Sequence, residues 1–294
     1  MKKALVTGVA GFIGSHIAER LVEMGVVVVG IDDLSAGYES NIPKEVEFYQ
    51  RDVCDIVCYG ELLRGVDVVF HQAASKKNIC LKNPSRDMEV NGIGTLRLLE
   101  QCVSHKVKKF VHASTGSVYG EVKGVINENT ARNPQSFYGV SKTAGETYVS
   151  LFNRQSGLDT TILRYFHVYG DRQESKQETG GVVAIFTDKI LKGEPIYIHG
   201  DGTQERVFTY VKDIVEANIM SWQNPISNGK VYNCASFYQM SVIDLARALM
   251  EKYNKKVSII YTAPLVGDIY NFNVDSHKIK NELGVMFQPI IKVI

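Results

Sequence analysis

The feature that most constrains the fold of this chain is a glycine-rich segment close to its amino terminus. Residues 3–7 form a short apolar run typical of a buried parallel strand, and residues 7–14 (TGVAGFIG) follow without a break. In such a segment Gly8 allows a tight turn, Gly11 lets backbone approach a pyrophosphate, and Gly14 lets the next helix pack closely on the strand. The segment therefore predicts a strand–turn–helix unit with a dinucleotide at the amino end of the helix.

The residues that follow support this prediction and indicate which dinucleotide binds. Residues 12–24 carry apolar side chains at helical spacing, and residues 26–31 form a second buried strand that ends in Asp32 and Asp33. A carboxylate about 20 residues past the glycines accepts hydrogen bonds from the adenosine ribose and repels a 2′-phosphate. Because residues 32–42 contain no Arg or Lys to offset it, the sequence predicts NAD rather than NADP.

Two further strand ends fit the same site. Residues 46–50 and 66–71 have the composition of strands, and polar or small residues follow each of them. A carboxylate after the first strand can accept the adenine amino group. After the second, small residues let the cofactor lie along the strand ends and a lysine can reach a ribose or phosphate. The cofactor contacts predicted here are Asp52, Val53, Gln72, Ala73, Ala74 and Lys76.

A second motif, in mid-chain, predicts the chemistry. Residues 109–114 form a fifth strand that delivers Thr115 to the carboxyl edge of the sheet, where open α/β sheets bind ligands. Tyr138 and Lys142 stand at i and i+4 near the start of the next helix, so they share a face. A phenol with a pKa of about 10 is a poor base, but a nearby lysine cation and a positive nicotinamide ring lower that pKa. Such a tyrosine can take the proton of a hydroxyl while Thr115 holds the same oxygen in line.

Bulk composition excludes several other classes of protein. The chain has 294 residues, 45% of them apolar, and a formal net charge of +1, which gives no reason to expect nucleic acid or an anionic membrane as partner. It lacks an apolar run of about 18 residues, and its amino terminus enters a strand directly, so neither a membrane span nor a signal peptide is expected. Five scattered cysteines favour reduced thiols in the cytoplasm and no metal site.

The order of the predicted elements indicates an α/β fold. Strands and helices alternate up to residue 165, which predicts a Rossmann-type, doubly wound parallel sheet as the NAD-binding domain, residues 1–165. Residues 166–294 are expected to form a smaller C-terminal α/β substrate-binding lobe, which includes a helix over residues 182–191. A segment near 205–236 is expected to return to the main sheet, and the chain from Phe287 onward is strand-like.

These motifs resemble the extended short-chain dehydrogenase/reductase family, and within it the NAD-dependent nucleotide-sugar epimerases and dehydratases. The likeness spans nearly the whole chain and is greatest to the UDP-glucose/UDP-galactose 4-epimerases. The residues that carry it are 7–16, 114–120, 138–142, 163–170 and 200–213. The resemblance implies an enzyme that keeps NAD through turnover and oxidises C4 of a nucleotide sugar. The 4-keto sugar then rotates, and the hydride returns to its other face. It also implies a homodimer in which the helices over residues 91–103 and 138–152 form a four-helix bundle.

Matching of motifs carries the family's functional residues onto this chain. The implied catalytic residues are Thr115, Tyr138 and Lys142, the last two of which also contact the cofactor. The cofactor contacts added by the resemblance are Phe12, Ile13, Asn91 and Phe166. The implied substrate contacts are Thr115, His167, Val182, Val183, Arg206 and Asp268. Arg206 matches the arginine that grips the diphosphate, a task that suits a guanidinium fork.

The chain departs from the family pattern at His167, where an Asn is usual, and at Leu265, where an Arg is usual. His167 is either a cationic donor to the diphosphate or a neutral replacement for the Asn. One diphosphate contact is absent or comes from elsewhere, such as Lys189 or Lys192. The chain also ends before the last helix that is usual in the family, so a truncated carboxyl end is an open possibility.

Several functions stay open at this stage. Gly116 and Ser117 offer no carboxylate where dehydratases and decarboxylases of the family carry one, which favours simple 4-epimerisation. The alternatives are a 4,6-dehydratase or decarboxylase, a net dehydrogenase, and a non-catalytic NAD-binding regulatory protein. The sequence names neither the sugar, which could be glucose/galactose, an N-acetylhexosamine or a uronic acid, nor the nucleotide.

Overall fold

A computed structural model of the chain describes residues 1–55, 59–75, 77–176, 180–264 and 273–293. Its strands are β1 (Lys3–Thr7), β2 (Val27–Asp32), β3 (Glu47–Gln50), β4 (Val68–His71), β5 (Lys109–Thr115), β6 (Val125–Ile126), β7 (Asp159–Tyr165), β8 (Val168–Tyr169), β9 (Ile196–His199), β10 (Glu205–Val207), β11 (Thr209–Tyr210), β12 (Lys230–Cys234), β13 (Gln239–Ser241), β14 (Ile259–Thr262) and β15 (Asn273–Val274).

Its helices are α1 (Phe12–Glu23), α2 (Tyr59–Leu62), α3 (Lys77–Lys82), α4 (Pro84–Met88), α5 (Thr95–Ser104), α6 (Phe137–Ser156), α7 (Val182–Lys192), α8 (Val211–Gln223), α9 (Val242–Lys252), α10 (His277–Leu283) and α11 (Ile290–Val293). A π-helical turn, Glu89–Gly94, joins α4 to α5.

The main sheet consists of parallel strands in the order β12-β7-β5-β4-β1-β2-β3. Neighbouring residues of β1 are buried on opposite faces, as a strand covered on both sides requires, so Leu5 and Val6 belong to different apolar clusters. Side chains of α1, α8 and α10 cover one face, and those of α2, α5 and α6 cover the other. The predicted α/β, doubly wound parallel sheet is confirmed.

The turn between β1 and α1 shows why its glycines are needed. Gly8 adopts a φ of +70°, in the left-handed region that favours glycine. A Cβ on Gly14 would lie 2.1 Å from the backbone oxygen of Gly8, so only glycine lets α1 begin this close to the strand. The turn therefore brings the amino end of α1 to the carboxyl edge of the sheet.

The later part of the chain builds a third apolar cluster, separate from the two that cover the main sheet. Here α7 and α9 pack against β9, and α11 adds Ile290. The helix predicted over residues 182–191 is present as α7. The strand-like prediction from Phe287 is wrong, because the chain turns into the short helix α11 instead. The predicted return to the main sheet is present, since β12 pairs with β7, whereas the division at residue 165 stays a prediction. None of the helices in the described ranges is long and apolar enough to cross a membrane.

Candidate active site

A cavity at the carboxyl edge of β1, β2, β3 and β4 collects most of the predicted cofactor residues. Those that line it are Gly8, Gly11, Asp32, Asp33, Asp52, Val53, Gln72, Ala73 and Ala74. These residues come from four separate stretches of sequence, and the parallel strands bring them together because all end at the same edge. Lys76 lies outside the described residues.

Backbone hydrogen bonds hold Asp32 in this cavity. Its carboxylate accepts hydrogen bonds from the backbone N–H groups of Ala10 (3.0 Å) and Leu34 (2.8 Å). Burial raises the pKa of Asp32 above its ordinary value, while those N–H groups oppose the rise. The carboxylate is therefore held at the end of β2 in the place predicted for a ribose contact.

The amino end of α1 points into the same region. Gly11 is the N-cap residue and offers no side chain to the free N–H groups of the first turn. Phe12 and Ile13 are half-buried in that turn. Uncapped N–H groups and the positive end of the helix dipole suit a diphosphate, so this turn fits the pyrophosphate of a dinucleotide.

Arg86, in the middle of α4, is a cavity residue that sequence inspection missed. Its guanidinium pairs closely with the carboxylate of Asp52 and lies 3.8 Å from that of Asp33. Although burial acts in the opposite direction, the N–H of Cys54 and the Arg86 guanidinium hold the pKa of Asp52 below its ordinary value. The prediction of an acidic ribose site without a nearby cation considered only residues close in sequence, and α4 brings this cation from far along the chain.

The three predicted catalytic residues meet farther along the same edge. Thr115 ends β5 and shares a hydrogen bond with the phenol of Tyr138, in the first turn of α6. Burial raises the pKa of Tyr138 above its ordinary value, and the bond to Thr115 opposes the rise. Lys142, one turn later, is almost fully buried, and burial lowers its pKa to about 8 although the carboxylates of Glu146 and Asp87 oppose this shift.

A buried ion pair lies beneath this trio, and the sequence analysis did not identify it. Glu146, one turn after Lys142 on α6, accepts two hydrogen bonds from the guanidinium of Arg164 on β7, at 2.8 and 2.6 Å. The hydroxyl of Ser114 donates to the same carboxylate at 2.5 Å. Arg164 also donates to the hydroxyl of Tyr119 at 2.6 Å. The i+4 spacing of Glu146 from Lys142 was a signal available in the sequence.

Asn91 lies behind the cleft. It sits in the π-helical turn, a feature that often marks functional sites, and its side chain is fully buried. Its amide oxygen accepts from the backbone N–H of Ser75, and its amide nitrogen donates to Asp87 and to Ser141. The side chain therefore ties the loop after β4 to α6.

Gly116 and Phe166 are in close contact. A Cβ on Gly116 would lie 2.3–2.8 Å from three ring carbons of Phe166, which is itself buried and stacks against Tyr119. Ser117 is half-buried and donates its backbone N–H to the hydroxyl of Thr115 at 3.2 Å. Positions 116 and 117, which follow Thr115, carry no carboxylate. The ring of Phe166 also leaves no room for one at position 116.

The predicted substrate residues lie on the lobe side of the edge. His167 follows β7 with a φ of +37°, Val182 and Val183 open α7, and Arg206 is a buried residue of β10. The alternative diphosphate donors are engaged elsewhere, since Lys189 pairs with Glu194 and Lys192 with Asp188. Asp268, a predicted substrate contact, and Leu265, the departure from the family pattern, lie outside the described residues.

This fold and this site define a dinucleotide-dependent enzyme of the short-chain dehydrogenase/reductase type. Comparison with known proteins narrows the class, because the model of the NAD dependent epimerase/dehydratase family matches residues 4–235. The chain belongs to that family.

Individual relatives agree with the family. The chain is 39% identical over 280 residues to a putative UDP-glucose 4-epimerase of Methanocaldococcus jannaschii. The matched region covers 93% of this chain and 90% of the relative. It is 34% identical to the UDP-glucose 4-epimerase of Mycolicibacterium smegmatis, with 98% and 93% covered. A crystal structure of the UDP-glucose 4-epimerase of Thermotoga maritima with UDP-glucose matches with a TM-score of 0.93 at 37% identity, covering 97% of this chain and 94% of that one.

Proposed function

We propose that this chain is an NAD-dependent UDP-sugar 4-epimerase that inverts C4 through a transient 4-keto intermediate. The observation that carries the proposal is the placement of Thr115, Tyr138 and Lys142 at the edge that also holds the Asp32 cavity, without a carboxylate at position 116 or 117. The names of the three similar proteins support the same activity.

The groups that line the cavity fit NAD. The uncapped first turn of α1 would hold the diphosphate, Asp32 the ribose hydroxyls, and Asp52 the adenine amino group. When bound, NAD supplies reversible acceptance of two electrons from a carbinol carbon. The remaining steps belong to side chains of this protein.

Tyr138 would move the proton. In this role it removes the proton of the C4 hydroxyl and later returns it, while Thr115 holds the same oxygen. Burial and the negative charges of Cys80 and Asp87 raise the pKa of the Tyr138 phenol, whereas a base at neutral pH needs a lower one. The positive charge of Lys142 and of an oxidised nicotinamide ring would provide that lowering.

The lobe side of the edge would hold the sugar nucleotide. Residues 1–165, with the returning segment near 205–236, would bind NAD, and residues 166–294 would bind the substrate. Arg206 is placed to grip the diphosphate, and His167, Val182 and Val183 are placed to contact the rest of the nucleotide sugar. The UDP-glucose in the similar Thermotoga structure supports UDP as the nucleotide.

The activity is tested by incubating the protein with a panel of UDP-sugars and following the products by proton NMR. The panel would contain glucose, galactose, N-acetylhexosamine and uronic acid forms. We expect one C4 epimer pair to interconvert without added NAD and without loss of water or CO₂. Formation of a 4-keto-6-deoxy sugar would instead identify a dehydratase, and formation of a pentose would identify a decarboxylase. If no UDP-sugar of the panel is turned over, the proposed activity is rejected and only the binding of NAD is retained.

We also propose a homodimer that works in the cytoplasm, where its buried thiols stay reduced. On α6, Phe137, Val140 and Tyr148 are exposed, and Val103 on the neighbouring α5 is exposed as well. This shared apolar face suits a two-fold helix bundle. Light scattering at micromolar concentration should give the mass of two chains, and Val140→Asp should give one. A monomeric wild type contradicts the proposal.

A further inference from the structure

Two cations line the cavity at the ends of β1 to β4, among the residues that the structure describes, and their surroundings differ. They are Arg51, which follows β3, and Arg86 on α4. The guanidinium of Arg51 donates to the backbone oxygen of its neighbour Gln50 at 3.0 Å. The guanidinium of Arg86 instead lies among carboxylates, so other side chains of the protein neutralise part of its charge.

Three carboxylates surround the guanidinium of Arg86, and they approach different nitrogens. Nη2 pairs closely with Asp52 and lies 3.8 Å from Asp33, whereas Nη1 lies 3.4 Å from Glu89. Because Asp33 and Asp52 both line the cavity, Nη2 is the nitrogen on the cavity side. The side chain of Arg86 is 31% exposed, so a molecule bound in the cavity can reach this nitrogen.

Asp33 stands between this cation and the proposed ribose site. Asp32, the preceding residue, is the proposed acceptor of the ribose hydroxyls. One carboxylate oxygen of Asp33 accepts hydrogen bonds from the backbone N–H and the hydroxyl of Ser35, at 3.0 and 2.6 Å, and the other faces Arg86. A phosphate on the 2′-oxygen would extend past the hydroxyl that Asp32 accepts, so the side chains beside Asp32 decide whether it meets an acid or a cation.

We propose that Arg86 is a cation able to bind the 2′-phosphate of NADP, that Asp33 neutralises and covers it, and that this pair sets the choice between NAD and NADP. Without the charge of Asp33, Nη2 could donate to the phosphate while Asp52 still holds the guanidinium in place. A guanidinium has five N–H donors, so it can bind both groups at once. The inference rests on the proposed placement of the ribose at Asp32 and not on which sugar is turned over.

The test compares the affinities for NAD and NADP in variants of this pair by calorimetric titration. Asp33→Asn removes the charge and keeps a side-chain oxygen that can accept from Ser35. We expect the ratio of the NADP affinity to the NAD affinity to rise by about tenfold or more, the effect of a hydrogen bond between charged groups. Asp33 and Arg86 are both about one-third exposed, so the variants should fold as the wild type does.

Two double variants separate the roles of the two arginines. Arg86→Gln added to Asp33→Asn should abolish most of the gain, because the cation that receives the phosphate is then absent. Arg51→Gln added to Asp33→Asn removes a positive charge from the same cavity, and the gain should persist. In the wild-type background Arg86→Gln should change the ratio less, since Asp33 and Asp52 already neutralise that guanidinium.

Adenosine 2′,5′-bisphosphate is a second probe, because it carries the 2′-phosphate without the nicotinamide half of the cofactor. Its affinity relative to that of 5′-AMP should rise in Asp33→Asn, fall again when Arg86→Gln is added, and remain high when Arg51→Gln is added. Agreement between the two probes assigns the effect to the adenosine end of the cavity. A gain seen with NADP alone contradicts the proposal.

Three further results overturn the proposal: no gain in Asp33→Asn, a gain that persists when Arg86→Gln is added, or an equal loss of the gain with either arginine substitution. The placement of the ribose is checked separately by Asp32→Asn, which should weaken NAD binding by about tenfold. Wild-type NAD affinity in Asp32→Asn would reject that placement and the inference with it. Weakened NAD binding in Asp32→Asn, together with a ratio that does not depend on Arg86, would reject the inference alone.

Discussion

The two halves of the cleft are built in different ways: the half proposed to bind adenosine, around Asp32, Asp33 and Asp52, and the half proposed to be catalytic, around Thr115, Tyr138 and Lys142. The adenosine half consists of turns, small residues and carboxylates at the ends of β1 to β4, and both Asp33 and Asp52 are about one-third exposed. The catalytic half rests on charged side chains that are almost fully buried, among them Lys142, Glu146 and Arg164. The first half thus depends mainly on backbone geometry, and the second depends mainly on the balance of buried charge.

This difference predicts different consequences of substitution. In the adenosine half, the loss of a surface carboxylate or cation leaves a group that water can solvate, so the effect on folding is small. In the catalytic half, the loss of one partner leaves a charge without water or a counter-ion, so folding and catalysis suffer together. Four experiments test or refine this contrast.

The largest expected effect follows from Glu146→Leu. The guanidinium of Arg164 would lose its bidentate partner while it remains buried, which should lower the free energy of unfolding by about 3–5 kcal/mol. Urea unfolding measures this change. The control is Arg132→Ala, which removes a half-exposed partner of the same carboxylate and should cost less than about 1 kcal/mol. Equal losses in the two variants would refute the contrast.

Arg206→Ala tests the substrate side of the edge. If Arg206 grips the diphosphate, its loss should weaken binding of a UDP-sugar by about 2–5 kcal/mol, the range for one partner of a buried charge pair. Isothermal calorimetry measures the affinity. Arg247→Ala, at an exposed position on α9, is the matched control and should bind as the wild type does. Wild-type affinity in Arg206→Ala would remove the diphosphate from this position.

Tyr138→Phe separates chemistry from folding within the catalytic half. The variant keeps the ring and removes the proton carrier, so turnover should fall by on the order of a hundredfold or more with the stability and NAD affinity unchanged. Steady-state rates and NAD titrations provide the two readouts. Tyr148→Phe, at an exposed position of the same helix, should turn over normally. Near-normal turnover in Tyr138→Phe would show that another group is the base.

The smallest expected effect concerns the adenosine half. Asp32 and Asp33 should make the protein prefer NAD to NADP by at least tenfold, which is about 1.4 kcal/mol. Arg86→Gln would remove the guanidinium beside Asp33 and Asp52, so the preference for NAD should increase. Calorimetric titration with both dinucleotides measures the ratio of the affinities for NAD and NADP. Equal affinities in the wild type would contradict the role of Asp32, and an unchanged ratio in Arg86→Gln would contradict the role of the guanidinium.

The sequence was sufficient to predict the sheet, and it named most of the residues that line the cavity at the ends of β1 to β4, because their signals are local. A strand, three glycines and a carboxylate at the next strand end lie within one short stretch. Residues 3–7, before the glycines, form the apolar run of a buried strand, and residues 12–24, after them, carry apolar side chains at helical spacing. The strand predicted from Phe287 shows the limit of such signals, since a short apolar run does not distinguish a strand from a helical turn.

The groups that were missed are those that tertiary contacts create. Arg86 lies on α4, two strands later in the chain than Asp33, which follows β2. Arg164 lies on β7, whereas its partner Glu146 lies on α6. Each of these side chains is ordinary by composition and acquires its role only from a partner that is distant in sequence. Asp87 and Cys80 are closer in sequence, but their position beside α6 depends on how α3 and α4 pack against that helix.

The contact between Gly116 and Phe166 also limits how this chain can acquire new chemistry. A side chain at position 116 would collide with the ring of Phe166, which directly follows β7, so an acidic substitution there is unfavourable in the present structure. Replacement of Phe166 by a smaller residue must come first, and by itself it would leave a void beside Tyr119. A carboxylate at position 116 therefore requires a prior change at Phe166 that carries a cost in stability, which leaves position 117 as the less constrained route toward an elimination reaction.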